Sequence, residues 1–383
     1  MRKSICLTLS FIVLFAFKGY INAQTQKAET DITSVMKQFD VPGISVAVVK
    51  SGKLVYTHSF GYKNREKQIS LSENDIFRIA SISKSFSATS IMQLVQQKKL
   101  SLNDDVSSLI GFKVRNPNFP STVITLRMLL SHRSSLNDKE GYFTLDAINP
   151  DKNPNWKNGY NNYEPGTGYQ YCNLNFNMTG TIIEKFSGER FDRYVQNHIL
   201  KPLGLYGGYW VDGLDSTRFV TLYDYNDSLK KLMPQPMAYA PRRQEIANYV
   251  MGYSTPIFSP TGGMKISAAD LARYMIMHMN LGKAAHNRII KNKNAIIMQT
   301  PLTEKEGYGL ALLKTTRLID SVEMTGHTGS AYGLSSAMFF NREKKFGIVV
   351  ISSGSKPGYT DGYNTVIKKT VNILYDNLIK GDW

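Results

Sequence analysis

Ser81 and Lys84, in the run Ala80-Ser-Ile-Ser-Lys84, bring a hydroxyl and an amine onto one face of a single helical turn. A serine hydroxyl is a weak nucleophile until a neighbour takes its proton, and the start of a helix favours the negative charge that then develops. The pair therefore offers acyl transfer. The spacing by itself is common: Ser34–Lys37 and Ser228–Lys231 share it, and there a capping or surface serine beside a solvated lysine is the ordinary account. Two clusters further along the chain add chemistry. Tyr171-Cys-Asn173 puts a phenol and a carboxamide on one side of an extended backbone, with Cys172 on the other. A phenol beside a buried ammonium is expected to ionise below its ordinary value of about 10. Tyr171 is thus a candidate general base, and Asn173 a candidate holder of a substrate amide. This spacing too recurs, at Tyr62–Asn64, Tyr160–Asn162 and Tyr375–Asn377. Gly326-His-Thr-Gly-Ser330 makes His327 and Thr328 candidate walls of a cleft, with glycines that let a bound peptide backbone approach. Cys172 reads as a small buried hydrophobe, with no partner that would activate its thiol.

The elements that must position these residues are legible in the apolar pattern. Ile76, Phe77 and Ile79 lead into Ser81, after which Phe86, Ile91, Leu94 and Val95 recur at helical spacing. Ser81 is therefore expected where a helix begins. Upstream, Ala28 to Phe39 reads as an amphipathic helix stopped by Pro42-Gly43. Ile44–Val49 and Leu54–Phe60 read as a hairpin turning at Lys50-Ser-Gly-Lys53. Near the other end, a strand-like run over Tyr308–Leu313 precedes a turn at Asp320-Ser321 and a strand from Val322. Ser336–Phe340 and Phe346–Ser352 complete an antiparallel meander. Strands at both ends predict one antiparallel sheet built from the two termini. Helical periodicity over Leu126–Ser131, Met178–Phe186, Phe191–Ile199 and Ala268–Asn280 predicts a mostly helical middle. The Asn-rich segment Asn149–Asn162, with Pro150, Pro154, Trp156 and Tyr160, reads as a long loop whose aromatics either face solvent or form a substrate lip.

Composition bounds the rest. With 383 residues and 42% apolar content the chain can bury a large core. Arg2 and Lys3 precede an apolar run from Ile5 to Phe17, and Ile21-Asn-Ala23 suits a signal-peptidase cut before Gln24. Residues 1–23 are therefore expected to be a secretory leader, with an uncleaved N-terminal anchor as the alternative. The thirteen-residue run is short for a bilayer span. The expected location is exported, periplasmic or extracellular. Losing Arg2, Lys3 and Lys18 with the leader lowers the formal net charge from +16 to +13. Cys6 lies in the leader without a lipidation context, so Cys172 alone remains and no internal disulfide is expected. The basic residues fall in scattered pairs such as Lys98-Lys99 and Arg242-Arg243, not in a nucleic-acid motif. They suit a general attraction to anionic cell-envelope polymers.

In combination, Ser81-x-x-Lys84, Tyr171-x-Asn173 and His327-Thr-Gly329 resemble the serine β-lactamase-related family, which includes class C β-lactamases, D-alanyl-D-alanine carboxypeptidases, D-aminopeptidases and esterases. Leu129-Leu-Ser-His132, Pro202-Leu-Gly-Leu205, Gly262-Gly263 before Asp270-Leu-Ala-Arg273, and Gly307-Tyr-Gly-Leu310 are similar to that family too, so the resemblance covers most of residues 30 to 380. It implies an α+β architecture in a single hydrolase domain over residues 24–383. A sheet lobe would take about 24–80 and 305–383, and a helical lobe about 81–304, with the site between them. It implies that Ser81 forms an acyl-enzyme while Lys84 and Tyr171 move its proton, that the N–H groups of Ser81 and Ser330 form an oxyanion hole, and that Asn173 holds the substrate amide. No metal or organic cofactor is called for. The expected substrates are D-amino-acid peptides of cell-wall type, or small esters and amides. A class C-like β-lactamase and a penicillin-binding sensor or scaffold with negligible turnover are the alternatives. Where class C enzymes carry a lysine this chain has His327, mostly neutral at pH 7 without a carboxylate partner, which places β-lactamase activity below peptidase or esterase activity.

Overall fold

A computed structural model describes residues 23–284 and 286–382. Apart from Ala23, the expected leader lies outside the described residues. A helix over 23–38 (α1) leads to β1 (Gly43–Lys50) and β2 (Lys53–Asn64), which form the expected hairpin. Ser51 and Gly52 at its tip have φ of +51° and +72°, the pair of left-handed residues that a tight two-residue turn between twisted strands requires. β3 (Ile69–Ser70) closes that edge. Far along the chain come β4 (Leu313–Ile319), β5 (Val322–Ala331), β6 (Leu334–Asn341) and β7 (Phe346–Ser352). The seven strands stand in the order β4-β5-β6-β7-β1-β2-β3, every pair antiparallel. β7 pairs with β1, Val350 opposite Val46, so the two ends of the chain do share one sheet.

The first strand of the meander begins later than its apolar alternation suggested. Tyr308 makes only an isolated bridge to Leu313, and Gly307 and Ala311 take φ of +65° and +60°, which no strand accommodates. The backbone N–H groups of Leu310 and Ala311 donate instead to Met298 and Leu130 carbonyls, tying this stretch to the helical part.

β1 and β7 are buried on both faces, hence their nearly unbroken apolar runs. Because side chains alternate, Ile44, Val46, Val48, Ile348 and Val350 face one way. They pack with Ile32, Val35 and Met36 of α1 and with Val366, Ile367, Val371 and Leu374 of the last long helix, Thr365–Leu378. Ala47, Val49, Val349 and Ile351 face the other way, into a larger core with Leu271 and Met275 of helix Ala268–Met279. That core continues into the middle of the chain, where α2 (Ser83–Gln96) is buried through nearly its whole length beside α3 (Asn173–Ser187). We call Ala268–Met279 α4 and Thr365–Leu378 α5. Within the Asn-rich loop, Tyr160 turns inward and Trp156 meets it edge-on at 5.8 Å, so this aromatic pair packs against the protein.

Candidate active site

Ser81 stands at a corner. Phe77–Arg78 pairs with Lys265–Ile266, and Ile79 N–H continues that ladder to the Met264 carbonyl at 2.9 Å. The chain then reverses at Ala80, whose φ is +48°, and a 3₁₀ turn over Ala80–Ile82 runs directly into α2. A left-handed alanine costs about 1–2 kcal/mol and persists only where its surroundings hold it. Here the Ser336 hydroxyl donates to the Ile79 carbonyl at 3.1 Å, and β5 lies directly alongside. A Cβ on Gly329 would fall 2.2 Å from the Ile79 carbonyl oxygen and 3.2 Å from the Ala80 Cβ. Gly329 is therefore glycine so that β5 can touch the chain's own Ser81 corner, and not, as its motif suggested, chiefly to admit a substrate backbone. Room for a substrate has another origin: β4 pairs with β5 only as far as Gly326, which leaves His327 to Ala331 unpaired on that edge.

Lys84 follows one turn into α2, with no exposed surface. Its Nζ donates to Ser81 Oγ at 3.1 Å, Asn173 Oδ1 at 2.9 Å and the Thr261 carbonyl at 3.0 Å. All three ammonium donors have partners, and none of those partners is charged. Burial lowers its pKa from 10.5 to about 7, against the opposing pull of Asp138. Near neutral pH roughly half of Lys84 is a free amine able to accept the Ser81 proton.

Tyr171 completes the group. Its hydroxyl lies by the Ser81 side chain, which opposes the burial-driven rise in its pKa, and its ring centroid lies 4.7 Å from Lys84 Nζ. The expectation that a neighbouring ammonium would draw it to phenolate is overturned. Burial pushes the phenol well above its ordinary value, and the negative charge of Asp138 adds to the rise. The reason lies in the phenol's own burial, which disfavours its anion more than the Ser81 side chain beside it can offset. Near neutral pH the phenol therefore holds its proton, while part of Lys84 is free amine.

Asn173 occupies the first turn of α3, immediately after the extended Cys172. Its Oδ1 accepts from Lys84 and from Thr261 Oγ1 at 2.8 Å, and its Nδ2 donates to Asp138 Oδ2 at 3.0 Å, so the carboxamide steadies Lys84. Asp138 escaped the sequence reading. It accepts from the backbone N–H groups of Asn173 at 2.8 Å and Leu174 at 3.0 Å, a carboxylate on the positive end of α3, and from Cys172 Sγ at 3.2 Å. Thr261 also went unnoticed, although the adjacent Gly262-Gly263 is one of the stretches similar to the family. Cys172 is fully buried as expected, with its thiol pKa raised by burial.

His327 is 3% exposed, its Nε2 accepting from the Tyr308 hydroxyl at 2.9 Å and its Nδ1 side meeting the Thr328 carbonyl. Burial, followed by the proximity of Lys84, lowers its pKa to about 4. It is a neutral wall, 6.3 Å from Tyr171 between ring centroids. Thr328 is half-buried and Ser330 exposed on the unpaired edge. The His132 ring lies tilted against Tyr171, centroids 4.2 Å apart, its Nδ1 accepting from Cys172 N–H at 3.1 Å.

An antiparallel sheet between helices, with this corner at the head of its central helix, is the architecture of serine hydrolases of the β-lactamase and penicillin-binding-protein superfamily. The chain belongs to the Beta-lactamase family, whose profile matches residues 28–372. Protein flp of Staphylococcus aureus (strain MRSA252) is 24% identical over 352 residues, which cover 87% of this chain and 63% of that protein. The chain thus spans under two thirds of this relative's length. Penicillin-binding protein 4* of Bacillus subtilis (strain 168) is 32% identical over 171 residues, covering 42% of this chain and 36% of its own. Among solved structures, the D-amino acid amidase of Ochrobactrum anthropi SV3 superposes with a TM-score of 0.74 at 19% identity, over 94% of this chain and all of that one. The hydrolase EstCE1 gives 0.72 at 19% identity over 92% and 99%. The octameric penicillin-binding protein homologue of Pyrococcus abyssi gives 0.73 at 26% identity over 94% and 79%.

Proposed function

We propose that this protein is an exported serine hydrolase acting through an acyl-enzyme on Ser81, with D-amino-acid peptides of cell-wall type or small esters and amides as substrates. The observation that carries this reading is Lys84: fully buried, without a carboxylate partner, its pKa lowered to about 7, and 3.1 Å from Ser81 Oγ. Neutral Lys84 takes the Ser81 proton as Oγ attacks the scissile carbonyl. Tyr171 passes its proton to the departing amine or alkoxide and recovers one from Lys84, and the amine so freed then takes the proton of the water that releases the acyl group. The N–H groups of Ser81 and Ser330 receive the developing oxyanion, an arrangement worth on the order of 3 kcal/mol per donor. Asn173 and Thr328 border the cleft where a substrate amide would lie.

The structural neighbours, a D-amino acid amidase and a hydrolase with promiscuous acyltransferase activity, support this substrate range. Neutral His327 supports it against a β-lactamase, because it offers no fixed cation to a β-lactam carboxylate. Export rests on the leader pattern of residues 1–23. The test is intact-mass spectrometry with a fluorophosphonate, penicillin, a D-Ala-D-Ala peptide and a short-chain p-nitrophenyl ester. The wild type gains one adduct from the fluorophosphonate and turns over the ester, and Ser81→Ala does neither. A wild type inert to all four probes overturns the reading. A penicillin adduct that persists while the peptide and ester stay intact would make it a sensor.

A further inference from the structure

Beside the Ser81 corner lies a small cavity of about 30 Å³, walled by Arg78, Tyr209, Arg242, Ser259, Lys265 and Tyr332. It is built on the chain that carries the site. Arg78 precedes Ser81 by three residues, Ser259 lies two before the Thr261 carbonyl that accepts from Lys84, and Tyr332 follows Ser330 by two.

Its charge is all of one sign. Lys265 is 4% exposed, and its Nζ donates to the Tyr209 carbonyl at 2.6 Å, which leaves two of its three donors. Arg78 sends Nε to the Gly262 carbonyl at 2.9 Å, one terminal nitrogen to the Ala238 carbonyl at 3.2 Å and the other to Ser259 Oγ at 3.3 Å. Its guanidinium lies 5.0 Å from the Tyr332 ring centroid. Arg242 enters from a loop, held at φ +49°, its guanidinium 5.4 Å from the Phe143 ring centroid. The three cations feel one another: Lys265 is driven well below its ordinary pKa first by burial, then by Arg78 and Arg242. Among the described residues no carboxylate forms an ion pair with any of them. The acids on neighbouring chain are engaged elsewhere, Asp192 with Arg190 at 2.6 and 2.9 Å and Asp212 with Arg243 at 2.8 Å. Clustered basic groups in a low-dielectric wall without a counter-charge push Lys265 toward its neutral amine, and an oxyanion entering the cavity would favour the ammonium again.

We propose that this cavity is an anion subsite, taking a carboxylate borne by the acyl half of the substrate. The inference rests on the serine-hydrolase reading and deepens it. The proton carriers for a leaving group, Tyr171 and Lys84, lie toward His327. Along β5, at about 3.4 Å per residue, the Ser330 amide comes next and Tyr332 beyond it. A carbonyl seated at that amide with its leaving group toward Tyr171 directs its acyl chain to the cavity. Neutral His327 gives an anion no reason to sit at the other end.

The test pairs two esters of equal length: the mono-p-nitrophenyl ester of glutarate, whose acyl chain ends in a carboxylate, and p-nitrophenyl valerate, which is neutral. The wild type prefers the anionic ester by about tenfold or more in kcat/KM. The preference collapses toward unity in Lys265→Met and, as a second variant on a half-exposed side chain, in Arg242→Gln. Each ratio is internal to one variant, so partial loss of folded protein cancels. In Ser81→Ala, calorimetry finds the intact glutarate ester binding about tenfold tighter than the valerate ester, a readout independent of turnover. Equal binding of the two esters in Ser81→Ala overturns the subsite, and so do equal rates in the wild type. Equal rates together with a Tm raised by inorganic phosphate in the wild type but not in Lys265→Met would assign the cavity to a free anion instead. Failure of the wild type to hydrolyse either ester sinks the hydrolase reading and leaves the calorimetric comparison to decide the cavity.

Discussion

At the scale of single residues, the site depends on where one proton rests. Lys84 is driven down to about 7 by burial, so below that pH it is an ammonium and cannot take the Ser81 proton. Acylation should therefore rise with pH through about 7 and level off above, and the rate of fluorophosphonate labelling from about pH 5 to about pH 9 checks it. A flat profile, or one still climbing toward pH 10, sinks the amine as base. His327, held near 4, should contribute no limb around 6.5. Asp138 supplies a second handle, since its negative charge is what keeps Lys84 from falling further. Asp138→Asn should shift the limb to lower pH by about half a unit or more, while loss of the anion at the head of α3 destabilises the fold by about 1 kcal/mol. A purely structural Asp138 would lower Tm and leave the limb in place. Ser81, Lys84 and Tyr171 were legible because each sits in a short recognisable pattern. Asp138 was not, because it acts through backbone N–H groups of Asn173 and Leu174, which no local pattern around Asp138 announces. The phenolate expectation for Tyr171 failed for a related reason, since spacing shows an amine nearby but not how strongly burial of the phenol disfavours its anion.

At the scale of elements, the Ser81 corner and β5 hold each other in place. A methyl group on Gly329 would press into the Ile79 carbonyl at 2.2 Å, and that atom is backbone, fixed by the Ser336 hydroxyl and by the strand ladder leading to Ala80. Gly329→Ala should therefore destabilise the protein by roughly 1–3 kcal/mol and slow labelling of Ser81, because the strand bearing the Ser330 amide must move away from the corner. Thermal melts and labelling rates of the variant decide it. Unchanged values would mean that the contact is looser than the geometry requires. The same region shows where sequence patterns run out. The Lys50–Lys53 hairpin was readable because its turn is local and needs two left-handed residues, one of them glycine. The stretch Tyr308–Leu312 alternates like a strand, yet its N–H groups answer to Met298 and Leu130 and its φ angles at Gly307 and Ala311 forbid one. Period-two alternation reports which side chains are buried, not which partner the backbone finds.

At the scale of the whole molecule, the two chain ends meet in the β1–β7 pair, and the site hangs from the sheet they complete. That both termini build one sheet was visible in the apolar runs. That α5 seals its outer face followed only once the strands were in order. Val366, Ile367, Val371 and Leu374 of α5 are buried against that face, in a core separate from the one behind Ser81. Burying such side chains stabilises by about 1.5–3 kcal/mol each, so removing four forfeits roughly 6–12 kcal/mol. An ordinary domain has about 5–15 kcal/mol in all. A chain ending at Asn364 should accordingly lose Ser81 labelling and near-ultraviolet circular dichroism together, although α5 packs on the opposite face of the sheet from the Ser81 core. The intact protein should melt in one transition, with ellipticity and labelling falling at the same temperature, because the corner at Ala80 is held from the sheet by Ser336 and from the helical part by α2. Two separated transitions, or a truncated chain that still labels, would show that the helical part keeps the Ser81 geometry without the sheet, and that β5 merely rests against a corner folded on its own.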